Sequence, residues 1–172
     1  PKPHTPFQWV KLESASSIRE KQAFLRRRLR GRGLKLSYGD PAESLLEAVL
    51  ARGDRRLGAV IQRAWELGAR FDAWNEHFRP EAWRRSFAEL GLDPDFYARR
   101  QRQPDELFPW EVVSTGVRKE FLLQEYRRSQ RAETLTDCRN QCHGCGVLAA
   151  FKEEWAEIWC CPPAQETNNE ER

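Results

Sequence analysis

The stretch DPAESLLEAVLARGDRRLGAVIQRAWELG, residues 40–68, decides the fold class. Asp40 stands ahead of Pro41 and Glu43. A capping aspartate, a proline at the first helical position and a glutamate in the first turn together start an α-helix. This helix is expected to run to about Ala51 and stop at Gly53. Asp54 then caps a second helix. Leu57, Val60, Ile61, Ala64 and Trp65 recur in it at i, i+3, i+4, i+7 and i+8, one apolar face ending near Gly68.

The same signals continue toward the C-terminus. Pro80 opens a helix that turns Trp83, Phe87 and Leu90 inward and ends at Gly91, and Asp93-Pro94 starts a short one through Phe96 and Tyr97. Residues 101–116 read as a polar, proline-containing connection. Arg118–Gln130 reads as a helix with Val117/Phe121 and Leu122/Tyr126 paired four apart. Leu148, Phe151, Trp155, Ile158 and Trp159 mark a tail helix before Cys160-Cys161-Pro162-Pro163 and a polar, frayed end.

Toward the N-terminus, residues 1–9 are proline-rich and expected to be extended. A helix is expected from about Ser16 to Arg30, ended by Gly31 and Gly33. Leu34-Lys-Leu-Ser-Tyr38 alternates with period two, the pattern of a short strand. One strand makes no sheet, so it would close a larger β/α architecture. The expected fold class is therefore mostly α, divided into a terminal β/α segment over 1–39, a helical extension over 40–135, a cysteine loop over 136–147, and a tail helix with a disordered end over 148–172.

Composition narrows the function. The 172 residues are 40% hydrophobic and 32% charged, with a net charge of +3. No apolar run approaches the roughly eighteen residues of a membrane span, and no apolar stretch follows the N-terminus as in a signal peptide. A cytoplasmic protein with no membrane partner is expected. The charge is uneven: residues 1–35 carry ten Lys/Arg against Glu13 and Glu20. Arg26, Arg27 and Arg28 are thus candidate contacts to substrate or to nucleic-acid phosphate, RNA included, the alternative being a solvated helix face. A chain that opens on Pro1 and contains no Met reads as a fragment of a longer protein.

Five cysteines, three of them within eight residues, point to metal in a reducing compartment rather than to a disulfide scaffold. Cys138-Arg-Asn-Gln-Cys142-His-Gly-Cys145 has the spacing C-x3-C-x2-C. Thiolates this close in sequence can converge on one ion, with Gly144 and Gly146 letting the backbone wrap around it. A structural zinc takes four ligands. The adjacent His143 is a candidate fourth, and Cys160 and Cys161 lie at the far end of the tail helix. An iron–sulfur cluster (4Fe-4S) is the other reading, since three thiolates can hold one. Free or buried cysteines are the plain alternative.

Asp72, Glu76 and His77 could bind metal or do acid–base work, or only cap and orient a packed loop. Arg52, Asp54, Arg55 and Arg56 could meet phosphate, though an aspartate cap beside solvated arginines explains them as well. The sequence holds no Ser/His/Asp set, Walker loop or dinucleotide-binding glycine pattern.

Several segments together carry a resemblance. Pro1-Lys-Pro-His-Thr-Pro-Phe-Gln-Trp9, Arg52-Gly-Asp-Arg-Arg-Leu57, Phe71-Asp-Ala-Trp-Asn-Glu-His-Phe78, Phe108-Pro-Trp110, and Thr136-Asp-Cys-Arg139 with Cys142-His-Gly-Cys-Gly-Val147 occur in this order. This set, spanning about residues 1–147, resembles the C-terminal portion of a radical S-adenosylmethionine (SAM) protein family, of uncharacterised reaction, with an N-terminal cobalamin-binding-type domain. The resemblance implies that the SAM-cluster cysteines lie upstream of Pro1, in the rest of the barrel, which would be this segment's partner. Pro1–Trp9 would then be the end of a late barrel strand, with Pro3, His4, Thr5 and Pro6 near SAM or substrate. The parent would use a reduced cluster to cleave SAM and abstract hydrogen from a substrate, with cobalamin a further cofactor to consider.

The cysteine loop shares its spacing with the SAM-cluster motif, but Gly144 stands where that motif usually has an aromatic residue. Only one helix's length of chain follows Cys145. It therefore reads as an accessory site in a segment that is not catalytic alone. Leu148 occupies a position where the family commonly has a further Cys, and the tail beyond it is unlike the family. The alternative function is a non-catalytic, zinc-stabilised helical module that binds RNA or a protein.

Overall fold

A computed structural model describes residues 1–155. The described chain is mostly helical and contains no strand among those residues. Its helices are α1 (Ala15–Arg28), α2 (Pro41–Arg52), α3 (Leu57–Glu66), α4 (Pro80–Glu89), α5 (Pro94–Ala98), α6 (Lys119–Gln130), α7 (Val147–Ala150) and α8 (Lys152–Trp155), with a 3-10 turn at Pro109–Val112. None of them is long and apolar enough to cross a membrane. The chain divides into two compact units: Pro1–Pro3 with Trp9–Pro109, and His4–Gln8 with Trp110–Arg172.

In the first unit, α2 packs on α5 and α3 packs on α4. Asp40 caps α2 as expected, its Oδ1 accepting from the Ala42 N–H at 2.7 Å. Leu45, Ala48 and Val49 on α2 meet Leu57 and Val60 on α3, Phe87 on α4, and Tyr97 and Ala98 on α5. Burying Val60 and Val49 completely is worth about 1.5–3 kcal/mol each before entropy is counted. Gly53 is needed for space, because its φ of −81° is ordinary. A Cβ there would sit 2.0 Å from Leu57 Cδ1 and 2.8 Å from the Val49 carbonyl.

The expected apolar faces are wider than the buried ones. Leu57, Val60 and Ala64 are buried, while Ile61, Trp65 and Leu90 are exposed. The small Ala64, Ala69 and Ala82 bring α3 and α4 together along a narrow seam, which leaves the shoulder residues outside. Asp54 lies two residues before the α3 N-cap, and its Oδ1 accepts from the Arg56 N–H at 3.0 Å.

Two expectations of extended structure are corrected. Leu34–Tyr38 forms no strand and is almost wholly exposed, since period-two alternation cannot hold a strand without a neighbour to pair with. The β/α segment over 1–39 accordingly contributes a helix and loops. Residues 3–9 form successive turns, with His4 at φ +52° and the Gln8 N–H donating to the Thr5 carbonyl at 3.0 Å.

In the second unit, Trp110 and Leu122 are buried. Gln8 Oε1 accepts from Trp110 Nε1 at 3.0 Å and from the His4 N–H at 3.2 Å, and Phe7 meets Tyr126 edge-on. The tail expected as one helix from Leu148 is broken at Phe151 into α7 and α8. Ile158, Trp159, Cys160 and Cys161 lie outside the described residues.

Candidate metal centre

The cysteine loop is built on the N-terminus of α6. The Arg118 N–H donates to the Cys145 carbonyl at 2.9 Å, and Arg118 Nη2 donates to the Gly144 carbonyl. Three glycines make that closeness possible. Gly116, Gly144 and Gly146 have φ values of +76°, +67° and +109°, a region that side chains rarely adopt. A Cβ on Gly146 would lie 2.7 Å from Arg118 Cγ and from the Gly116 carbonyl. One on Gly116 would meet the Phe151 ring at 2.4 Å.

Within this wrap, in the segment Cys142-His-Gly-Cys145, the Gly144 N–H donates to Cys142 Sγ at 3.4 Å. A backbone donor aimed at sulfur orients the side chain, and sulfur is a donor that thiophilic metals accept. Cys142 and Cys145 line one cavity of about 710 Å³ together with Val117, Leu148 and Ala149. Leu148 therefore supplies an apolar wall where a fourth thiolate was sought.

Cys138 lies on an exposed turn. Asp137 shapes that turn: its carbonyl accepts from the Asn140 N–H at 2.9 Å, and its carboxylate takes the Arg139 N–H at 2.8 Å and the Arg139 guanidinium at 2.6 Å. The Arg139 hydrogen bonds hold the Asp137 carboxyl below its usual value. His143 Nε2 lies 2.9 Å from the Thr136 carbonyl. A carbonyl only accepts, so Nε2 is the donor in this contact. Metal-binding histidines commonly anchor their second nitrogen this way.

All three described cysteines are free thiols. Among the described residues no three His, Cys, Asp or Glu side chains are gathered as a metal group. The donor chemistry fits a thiophilic metal. Cys142 and Cys145 line the same cavity, His143 lies between them in sequence, and Cys138 is on the preceding exposed turn.

The other sequence-derived candidates separate. Pro3, His4, Thr5 and Pro6 are half-buried in turns, with Pro3 in the first unit and the other three in the second. Arg26, Arg27 and Arg28 are exposed on the last turn of α1. Asp72, Glu76 and His77 lie in a loop rather than on one helix face, and Asp72 Oδ1 accepts from the Arg79 N–H at 3.3 Å, as a loop-orienting residue does.

Arg52 faces inward. Its Nη1 donates to the Val10 carbonyl at 3.0 Å and to the Ala98 carbonyl at 3.1 Å. Arg102, also buried, donates to the Arg52 carbonyl at 3.1 Å and to Glu106 at 2.9 Å. Two guanidinium groups thus serve the C-terminal carbonyls of α5 and α2, where the helix dipole favours cations. Burial, then the charges of Arg102 and Arg100, brings Arg52 down to about 10, still cationic at neutral pH. Position 52 continues the stripe of Leu45, Ala48 and Val49, a signal that could have placed it inside. Arg118, 26 residues from Gly144 in sequence, is marked by no local pattern.

No family model, curated protein or solved structure matches the chain.

Proposed function

We propose that the chain is the C-terminal segment of a cytoplasmic radical SAM iron–sulfur enzyme, and that it contributes an accessory thiolate site rather than the SAM-cleaving motif. The ordered set of segments from Pro1 to Val147 supports the family reading. The observation that carries the site is the Cys142–Cys145 knuckle, with the Gly144 N–H directed at Cys142 Sγ. Cys142 and Cys145 would be the first ligands, and Cys138 would be drawn in from its exposed turn. A cluster bound there would supply an electron-transfer or anchoring centre beside the apolar cavity. Arg118 holds the knuckle closed through the Gly144 and Cys145 carbonyls.

The knuckle favours zinc as the second reading, because a Cys-x-x-Cys-Gly turn is a half-site that zinc also accepts. Anaerobic reconstitution of the chain with iron and sulfide, and separately with zinc, distinguishes the two. The first reading expects a brown protein with broad absorption in the visible blue, lost in Cys142→Ser and Cys145→Ser and weakened in Cys138→Ser. A colourless protein binding stoichiometric zinc assigns the second. Binding of neither, or cleavage of SAM by this chain alone, would overturn the proposal.

A further inference from the structure

The segment from α1 to Tyr38 behaves unlike the rest of its unit. Between Phe24 and Tyr38 stand Arg26, Arg27, Arg28, Arg30, Arg32 and Lys35, with no acidic residue. Those six charges exceed the +3 of the whole chain, so the remainder is net negative (3 − 6 = −3). Elsewhere many arginines are matched to carboxylates, as Arg56 to Asp54, Arg63 to Glu89, Arg100 to Glu106 and Arg139 to Asp137, and several of these also lie over rings. Arg26 and Arg28 lie on aromatic rings, with no carboxylate paired to them among the described residues. Arg26 is 5.5 Å from the centre of Tyr38, and Arg28 is 5.4 Å from that of Phe24.

Helix-dipole stabilisation accounts for Arg26, Arg27 and Arg28 in the last turn of α1. It does not account for Arg30, Arg32 and Lys35, which lie beyond the helix. α1 rests on α2 and Gln22 Nε2 donates to the Gly39 carbonyl at 3.0 Å, but α1 buries no residue and Phe24, Leu29, Leu34 and Tyr38 are all left exposed. A helix of this length gains little stability from propensity alone. Cations interleaved with exposed aromatic rings are what single-stranded nucleic acid recognises, phosphates on the guanidinium groups and bases on the rings. A lipid surface would want a broad continuous apolar face. Here Arg28 lies over the Phe24 ring and Arg26 over the Tyr38 ring, so cations sit on the aromatic surface and leave only Leu25 and Leu29, one turn apart, as an apolar face.

We propose that Phe24–Tyr38 is a binding surface for single-stranded nucleic acid, independent of any reading of the cysteines. The test is fluorescence anisotropy of the full chain with labelled U15 RNA and dT15 DNA between 50 and 200 mM salt (both ranges on the order used for such titrations), alongside co-sedimentation with phosphatidylserine vesicles. Binding of either oligonucleotide is expected to weaken steeply with salt. Replacing Arg26, Arg27 and Arg28 by Gln should lower the magnitude of the log–log salt slope by about 2, at roughly 0.7 per phosphate contact. Phe24→Ala and Tyr38→Ala should each weaken binding about 5- to 100-fold.

Binding of RNA alone or DNA alone supports the surface and names its source. These side chains are exposed, so the variants should keep the parent's circular dichroism, and Arg84→Gln, on α4, should bind as the parent does. No oligonucleotide binding at low salt, an unchanged slope in the triple variant, or binding to vesicles only would overturn the inference.

Discussion

Replacing Arg52 by Met tests whether the first unit is held by a buried cation. Arg52 is 0% exposed, and its Nη1 serves the carbonyls of Val10 and Ala98. Methionine keeps much of the length and apolar volume but removes both donors. Each charge-assisted bond is worth about 1.5–3 kcal/mol, so the gross loss is about 3–6 kcal/mol. Part returns, because the variant no longer desolvates a charge crowded by Arg102 and Arg100. A net loss of about 2–4 kcal/mol remains. With a urea slope of about 2 kcal/mol/M, the unfolding midpoint should fall by about 1–2 M.

Urea titrations at neutral pH followed by far-UV circular dichroism measure this, and Arg52→Lys should fall between the parent and Arg52→Met. Arg56→Met is the control, because its bidentate partner Asp54 holds it at the surface and its loss should move the midpoint far less. Equal shifts in Arg52→Met and Arg56→Met, or no shift in Arg52→Met, would refute the buried-strut reasoning.

Other outcomes follow from the same geometry. Gly146→Ala combines a φ of +109° with contacts at 2.7 Å, so it should destabilise the second unit by about 2–4 kcal/mol and lower metal stoichiometry. Gly33→Ala, also at positive φ but with nothing within 4 Å, should cost only about 1–2 kcal/mol and leave metal binding intact; thermal unfolding and metal analysis of both check this. The Arg100 hydrogen bonds hold Glu106 below the ordinary glutamate value of 4.5. The unfolded chain therefore takes up that proton first as pH falls. The stability Glu106 contributes is present above pH 4.5 and is lost as pH drops through the lowered folded value. Glu106→Gln should flatten the acid limb of stability against pH, measured by urea midpoints across that window.

Local signals in the sequence carried most of the helices. Asp40-Pro41 and Asp93-Pro94 marked true starts, since a side-chain cap and a fixed proline φ act within a few residues. The knuckle was legible for the same reason: Cys142, Gly144, Cys145 and Gly146 are neighbours, and left-handed glycines allow the wrap. Cys138, grouped with them by spacing, lies on an exposed turn shaped by the Asp137–Arg139 interactions. The two compact units depend on contacts such as Gln8 with Trp110, 102 residues apart, which no local pattern announces.

Most helix positions, the Asp40 and Asp93 caps and the left-handed glycines around Cys145 were thus set by the sequence itself, because each depends on residues within one or two turns of chain. Which apolar residues are buried, and what the charges do, only the tertiary structure decided. Periodicity offered Ile61 and Trp65 to the core, and the alanine seam between α3 and α4 left them outside. Charge alone would place every arginine in water. Arg52 is buried because the carbonyls of Val10 and Ala98 meet there, brought together across 42 and 46 residues of sequence. Arg26, Arg27 and Arg28 stay exposed because no carboxylate is folded against them among the described residues, and that contrast makes their surface a binding site to test.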